Sequence, residues 1–257
     1  MKKIIHFSDL HVGYKDLGER FNCICNNLIF EKEPATDYIV VITGDLVDSA
    51  LEPAYFREAK MCLEKLEQSG FKVLVVPGNH DYGNGAYGRK KYVDQFKEVF
   101  FGTTDIEYPK LDIIENIAFM GLDSMAEELN WTDRLFAQGE LGNKQLKRLE
   151  KILASTEVVA CKYRVVYLHH HPFDPRFLRE LKDSDELGAV LQVNGKIDAL
   201  LYGHNHHGKK RNGKWDIPRC YDAGSTTSKQ NAPAYHRVID LDRDARWDYD
   251  ADLRCVF

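Results

Sequence analysis

Five short polar motifs, each set directly after a short β-branched or apolar run, place the strongest limit on how this chain can fold. They are Asp9-Leu10-His11, Gly44-Asp45-Leu46-Val47-Asp48, Gly78-Asn79-His80-Asp81, His169-His170-His171-Pro172 and Gly203-His204-Asn205-His206. A strand that ends in a turn delivers its next few side chains to one edge of a sheet. In open α/β sheets, ligands sit beyond the carboxyl ends of the parallel strands. Turns gathered at a common edge would bring Asp, Asn and His side chains into one cluster. Hard and borderline divalent metals bind those groups.

The runs between the motifs support that arrangement. Lys3 to Ser8 reads as a strand, Glu19 to Glu31 as a helix with Phe21, Ile24, Leu28 and Ile29 on one face, and Tyr38 to Thr43 as a strand apolar on both faces. Pro53 opens a helix to about Ser69, Gly70 ends it, and Lys72 to Val76 is a third strand. This β-α-β-α-β order implies parallel strands with right-handed crossovers. Further on, Ile117 to Gly121, Arg164 to Leu168 and Ile197 to Tyr202 read as strands. Asn143 to Leu153 and Asp185 to Val193 read as helices, and the stretch from Trp215 to Phe257 alternates short strands with turns. Asp123 to Leu141 lacks periodicity and is expected to be a long loop, a candidate lid.

Bulk properties narrow the partners. The chain has 257 residues, 44% hydrophobic, and no linker or repeat divides it, so one domain over 1–257 is expected. The formal net charge is −5 and the densest basic run is Lys209-Lys210-Arg211. A nucleic-acid partner usually demands a basic face, so none is expected. Apolar stretches such as Ile39 to Ile42 are too short to span a bilayer, and Ile4-Ile5 makes no leader segment. A cytoplasmic protein with its six scattered cysteines reduced is the expectation. The oligomeric state is left open.

In this order, D-x-H, G-D-x-x-D, G-N-H-D, H-x-P and G-H-x-H resemble the calcineurin-like metallophosphoesterase superfamily, from Asp9 to His206. Gly121-Leu122-Asp123-Ser124 and Gly224-Ser225-Thr226-Thr227 further resemble its class III cyclic-nucleotide phosphodiesterase branch. The resemblance implies a four-layer α-β-β-α sandwich, two mixed sheets flanked by helices, with two divalent metals. Manganese is the first expectation, with iron, zinc, cobalt or nickel as alternatives. Carried over motif by motif, Asp9, His11 and His206 would bind one metal, Asn79, His170 and His204 the other, and Asp45 would bridge. His80 would protonate the leaving alkoxide, with Asp48 orienting it through the second ring nitrogen. The implied reaction is attack of a metal-bridging hydroxide on a small phosphodiester, of cyclic-nucleotide or glycerophosphodiester type. An SbcD-type nuclease, a phosphomonoesterase and a metal-free scaffold of the same fold remain alternatives.

Each motif taken alone has a plainer reading. Asp9-x-His11 is an ordinary turn, Asp45 and Asp48 can cap a helix, and a lone pair such as His204 and His206 is often solvated. Strand alternation puts His169 and His171 on one side and His170 on the other. The family position, two residues before Pro172, selects His170 as the ligand, which leaves His169 structural and His171 as a candidate substrate contact. Arg89 could steer an anionic substrate or simply start a helix. Asp123 reads equally as a turn residue, Asp81 as a brace of the Gly78 turn, and His6 and His236 as hydrogen-bonded strand residues.

Overall fold

In the computed structural model, residues 2–85, 88–125, 138–174, 181–227 and 235–252 are described. The first of these stretches is the expected alternation: β1 (Lys3–Phe7), α1 (Leu17–Glu31), β2 (Tyr38–Thr43), α2 (Pro53–Gln68) and β3 (Lys72–Val76). β1 pairs with β2 in parallel from Lys3↔Tyr38, and β2 with β3 from Ile39↔Lys72. Pro53 stands at the first turn of α2, where its missing N–H has no partner to lose.

Next come α3 (Lys90–Phe101), β4 (Lys110–Ile114), β5 (Ile117–Gly121), α4 (Gly142–Leu153), α5 (Thr156–Ala160), β6 (Tyr163–Tyr167), α6 (Ser184–Val193) and β7 (Ala199–Tyr202). β8 (Cys220–Asp222), β9 (Tyr235–Ile239) and β10 (Tyr249–Asp252) complete the order. One sheet runs β10-β9-β1-β2-β3 and the other β4-β5-β6-β7-β8. In the second sheet β5 to β8 are parallel, and β4 joins β5 antiparallel.

Period-two alternation sorts the strand residues into three apolar layers. Ile4, Ile39, Val41, Leu74 and Val76 of the first sheet meet Ile117, Phe119, Val165, Tyr167, Ala199 and Leu201 of the second between the sheets. Ile5, Phe7, Val40 and Ile42 turn the other way and pack under Phe21, Leu28, Phe56 and Phe96 of α1 to α3. Ala118, Met120, Val166, Leu168 and Leu200 face Leu146, Leu149, Leu187 and Leu191 of α4 and α6. The result is helix, sheet, sheet, helix, as expected. A residue such as Phe119, buried between both sheets, costs about 3–5 kcal/mol when truncated to alanine.

Two elements, β4 and α5, escape the sequence reading, and of α3 only the start at Arg89 is legible. β4 is a partly exposed edge strand, so no continuous apolar run marks it. α3 shows its stripe only through Tyr92, Val93 and Phe96 among charged residues. α5 is a five-residue helix capped by Ser155, which accepts from Val158 N–H. The cysteines also depart from expectation. Cys25, Cys62, Cys161 and Cys220 are free thiols, but Cys23 is disulfide-bonded. No helix among the described residues is long and apolar enough to cross a membrane.

Candidate metal centre

The backbone at the sheet edge is bent into an unusual form. Asp9, His11, Asp45, His204 and His206 all have positive φ, between 48° and 73°. Non-glycine residues rarely adopt this region, and clusters of such residues mark functional sites. Pairing between β1 and β2 continues past their ends, with Asp9 N–H donating to Gly44 O, His11 N–H to Asp45 O and Asp48 N–H to Val12 O. The Gly224 to Thr227 segment fixes the same turn from behind. Ser225 Oγ donates to Asp9 O at 2.9 Å and Thr227 Oγ1 to Leu10 O at 2.7 Å. Sequence reading used this segment only as a family mark; its job is to hold the Asp9 backbone.

Asp9, His11 and His206 come together. His206 Nε2 stands 3.0 Å from Asp9 Oδ1, and His11 Nε2 stands 3.3 Å from His206 Nε2. A second group gathers around Asp45. His169 Nε2 is 3.4 Å from Asp45 Oδ2, 3.0 Å from Asn79 Oδ1 and 3.2 Å from His204 Nδ1. Asp45 Oδ2 also lies 3.8 Å from His11 Nε2, so it stands between the two groups.

His169, rather than the expected His170, therefore faces the centre. Val165 and Tyr167 of β6 point into the space between the sheets, while Val166 and Leu168 point toward the helices. Continuing that alternation turns His169 inward to Asp45 and Asn79. His170 packs outward, its Nδ1 2.7 Å from Ser124 Oγ. His171 turns to Tyr202, with ring centroids 4.6 Å apart, and its Nδ1 accepts from Phe173 N–H. It lines a cavity of about 210 Å³ with Asn205, His207 and Asp222 rather than the cluster itself.

His80 adjoins the cluster as expected, with its backbone N–H on Asp45 Oδ1 at 2.9 Å. Its orientation has a different source from the one expected. His80 Nδ1 donates to the backbone carbonyl of Asp48 at 2.6 Å. The Asp48 carboxylate instead approaches His11 Nδ1, at 3.3 Å. Asp48 thus meets the His11 imidazole with its side chain and holds His80 with its main chain.

Arg89 is the exposed N-cap residue of α3, its N–H donating to Tyr82 O. Asp81 is the brace it was read as: its carboxylate accepts from Gly78 N–H at 2.8 Å and Val47 N–H at 3.1 Å. Asp123 turns back to accept from Met125 N–H and from Tyr82 Oη, both at 2.9 Å. His6 has Thr43 Oγ1 within 3.0 Å of Nε2, but among the described residues its buried Nδ1 and both ring nitrogens of buried His236 have no hydrogen-bond partner, against expectation. Of the expected lid, residues 126–137 lie outside the described residues.

The electrostatics fit a pair of divalent cations. Burial favours protonating Asp45, but His169, His80 and His11 outweigh it and hold the carboxylate well below the usual range. Asp9 is likewise depressed, burial being overcome by His206 and His169. Burial opposes a proton on His169, yet Asp45 and Asp9 lift it to about 9. Burial, with His170 and His169 nearby, pushes His204 well below its ordinary value, so its lone pair is free of a proton. Asp9 Oδ1 is buried and faced by His206 Nε2 at 3.0 Å and His11 Nε2 at 4.0 Å. Two ionised carboxylates, an amide oxygen and facing imidazole nitrogens form a donor set that seeks positive charge.

The calcineurin-like phosphoesterase family matches residues 2–208. The chain is 27% identical over 182 residues to 3',5'-cyclic adenosine monophosphate phosphodiesterase CpdA of Haemophilus influenzae, a match covering 69% of this chain and 57% of that protein. Thus it spans little more than half of that relative. It is 22% identical over 287 residues to protein L509 of Acanthamoeba polyphaga mimivirus, covering 95% of this chain and 98% of that one. Its fold is similar to that of a dimetal phosphatase from Danio rerio, with a TM-score of 0.67 and 13% identity over 98% of this chain and 99% of that one.

Proposed function

The chain belongs to the calcineurin-like phosphoesterase family, and we propose that it is a two-metal phosphodiesterase acting on small phosphodiesters. Cyclic nucleotides and glycerophosphodiesters are the substrate types in view. One observation carries the reading: Asp45 Oδ2 lies 3.8 Å from His11 in one ligand group and 3.4 Å from His169 in the other. A carboxylate so placed can bridge two ions. Asp9, His11 and His206 would hold one, and Asn79, His169 and His204 the other. When bound, two such ions supply Lewis acidity toward phosphoryl oxygens and make hydroxide available at neutral pH. Manganese is the proposed metal, and iron, zinc, cobalt or nickel would suit the same donors.

The protein's own residues do the rest. The four imidazoles and Asn79 bring no negative charge, so only Asp9 and Asp45 offset the metals and the site favours an anion. Asp48 O fixes His80 Nδ1, which leaves Nε2 for the substrate. In its imidazolium form, with Nδ1–H kept on Asp48 O, His80 would pass the Nε2 proton to the leaving alkoxide: the Nε2–H bond breaks as the alcohol O–H forms, and a neutral Nδ1–H imidazole is left. Nothing in this transfer calls for a second negative charge on phosphorus, which favours a diester over a monoester. The cyclic-nucleotide activity in the name of the Haemophilus relative supports the same class.

The test is metal content together with a substrate panel. Reconstituted protein should hold close to two equivalents and hydrolyse bis-nitrophenyl phosphate faster than nitrophenyl phosphate. A metal content near zero would favour the scaffold. Preference for monoesters would point to a phosphatase, and preference for duplex DNA ends to a nuclease.

A further inference from the structure

The loop that follows Gly78-Asn79-His80-Asp81 comes back over the motif at Gly85. We propose that Gly85 is a positioning residue that sets both the Asn79 amide and the His80 imidazole. The His80 half rests on the function proposed above; the Asn79 half rests only on the ligand geometry.

Gly85 O accepts a hydrogen bond from Asn79 Nδ2 at 2.7 Å. A primary amide has one oxygen and one NH2, and only the oxygen suits a cation. Fixing the nitrogen on Gly85 turns Oδ1 to the opposite side, 3.0 Å from His169 Nε2. A half-turn of the amide would present N–H groups to the metal instead.

The second contact is through an absent atom. A Cβ on Gly85 would lie 2.3 Å from His80 Nε2 and 2.5 Å from Cε1. The ring has no easy retreat, being held by Asp48 O at 2.6 Å and packed edge-on against His11 with centroids 4.7 Å apart. Gly85 also has φ +89°, a conformation open to glycine and tolerated by asparagine. The loop is pinned on both sides, since Ala50 N–H donates to Gly83 O at 2.7 Å and Gly83 bridges to Gly88. Gly83, two residues before Gly85, is thus held in place, which limits how far Gly85 can shift when a side chain is added.

The experiment compares Gly85→Asn, Gly85→Ala, His80→Ala and the Gly85→Ala/His80→Ala double variant. Asparagine tolerates the backbone conformation but still carries a Cβ, so it separates the collision from backbone strain. Three readouts are taken: calorimetric titration with Mn²⁺, turnover of a cyclic nucleotide, whose leaving group is an alkoxide, and turnover of bis-nitrophenyl phosphate. Both Gly85 variants should lose about 10- to 100-fold on the cyclic nucleotide and less than about 3-fold on the nitrophenyl diester. Affinity for the weaker Mn²⁺ equivalent should fall about 10-fold. In the His80→Ala background, Gly85→Ala should add no further discrimination between the esters.

Wild-type kinetics and Mn²⁺ binding in Gly85→Asn would overturn the proposal and leave Gly85 as a turn residue. Equal losses on both esters, unchanged when His80 is absent, would also overturn it. Should His80→Ala itself fail to discriminate between the esters, the proton-donor reading falls. The Mn²⁺ titration of Gly85→Asn then decides the Asn79 half by itself.

Discussion

Asp48 accepts the hydrogen bond from His80 Nδ1 on its backbone carbonyl, at 2.6 Å, and not on its carboxylate. Removing the Asp48 side chain should therefore leave His80 in place. What it removes is the carboxylate 3.3 Å from His11 Nδ1. Partners that steady metal-binding imidazoles contribute about 10- to 100-fold in metal affinity. Asp48→Ala should weaken Mn²⁺ binding by about that factor, while the rate ratio between alkyl and nitrophenyl esters at saturating metal stays at the wild-type value. A changed ratio with unchanged affinity would return the carboxylate to the service of His80.

The triple histidine gives a prediction that discriminates between neighbours. His169 reaches Asp45, Asn79 and His204, whereas His170 Nδ1 lies against Ser124. His169→Ala should bind about one metal equivalent fewer. His170→Ala should retain both and lose stability, because its ring fills the space beside Gly139, where a Cβ would meet it at 2.4 Å. Elemental analysis of the two variants, run together, separates the cases. Metal loss that follows His170 instead would contradict the assignment.

That histidine also shows where sequence reading succeeds and where it stops. The apolar runs at Tyr38 to Thr43 and Lys72 to Val76 define strands at the observed boundaries, because burial on both faces leaves an unbroken hydrophobic signal. Alternation placed His169 and His170 on opposite sides, but which side faces the cluster depends on the second sheet packing against the first. Spacing to Pro172 carries no such information. The positive φ values at Asp9, His11, Asp45, His204 and His206 leave no mark in residue type, since these side chains are set by their chemistry. Nor could the Asp48 carbonyl be foreseen, because a main-chain acceptor is present at every residue.

Asp123 offers a pH test outside the cluster. Burial raises its carboxyl to about 6, against the hydrogen bonds from Met125 N–H and Tyr82 that favour ionisation. The folded value is above the unfolded one, near 4, so between them the native state holds more protons. The stabilisation is full below about pH 4 and is lost as pH rises through about 6, up to about 3 kcal/mol in all. Asp123→Asn removes this titration. The difference in urea-unfolding free energy between metal-free wild type and variant should change across that window and flatten above it. Parallel pH profiles for the two proteins would show that Asp123 titrates alike folded and unfolded.

Gly44 joins β2 to Asp45, and its lack of a side chain is required twice over. Its φ is +85°, and a Cβ there would stand 2.7 Å from both Gly78 N and His169 Nδ1. The first contact is with backbone and cannot be relieved by a rotamer change. The second would push His169 off Thr43 O, to which its Nδ1 is hydrogen-bonded at 2.7 Å, and so turn Nε2 away from Asp45. Gly44→Ala should therefore cost about 3 kcal/mol or more, combining backbone strain of about 1–3 kcal/mol with overpacking of similar size. It should also lose metal out of proportion to that destabilisation. Gly102 is the control, with φ +72° and nothing within 4 Å of the place a Cβ would take. Gly102→Ala carries the backbone strain alone, and should lower stability by about 1 kcal/mol with two metals retained. The comparison is made by thermal unfolding and metal analysis on both variants. Equal destabilisation with full metal content in each would mean that only the backbone conformation, and not the contact with His169, demands glycine at position 44.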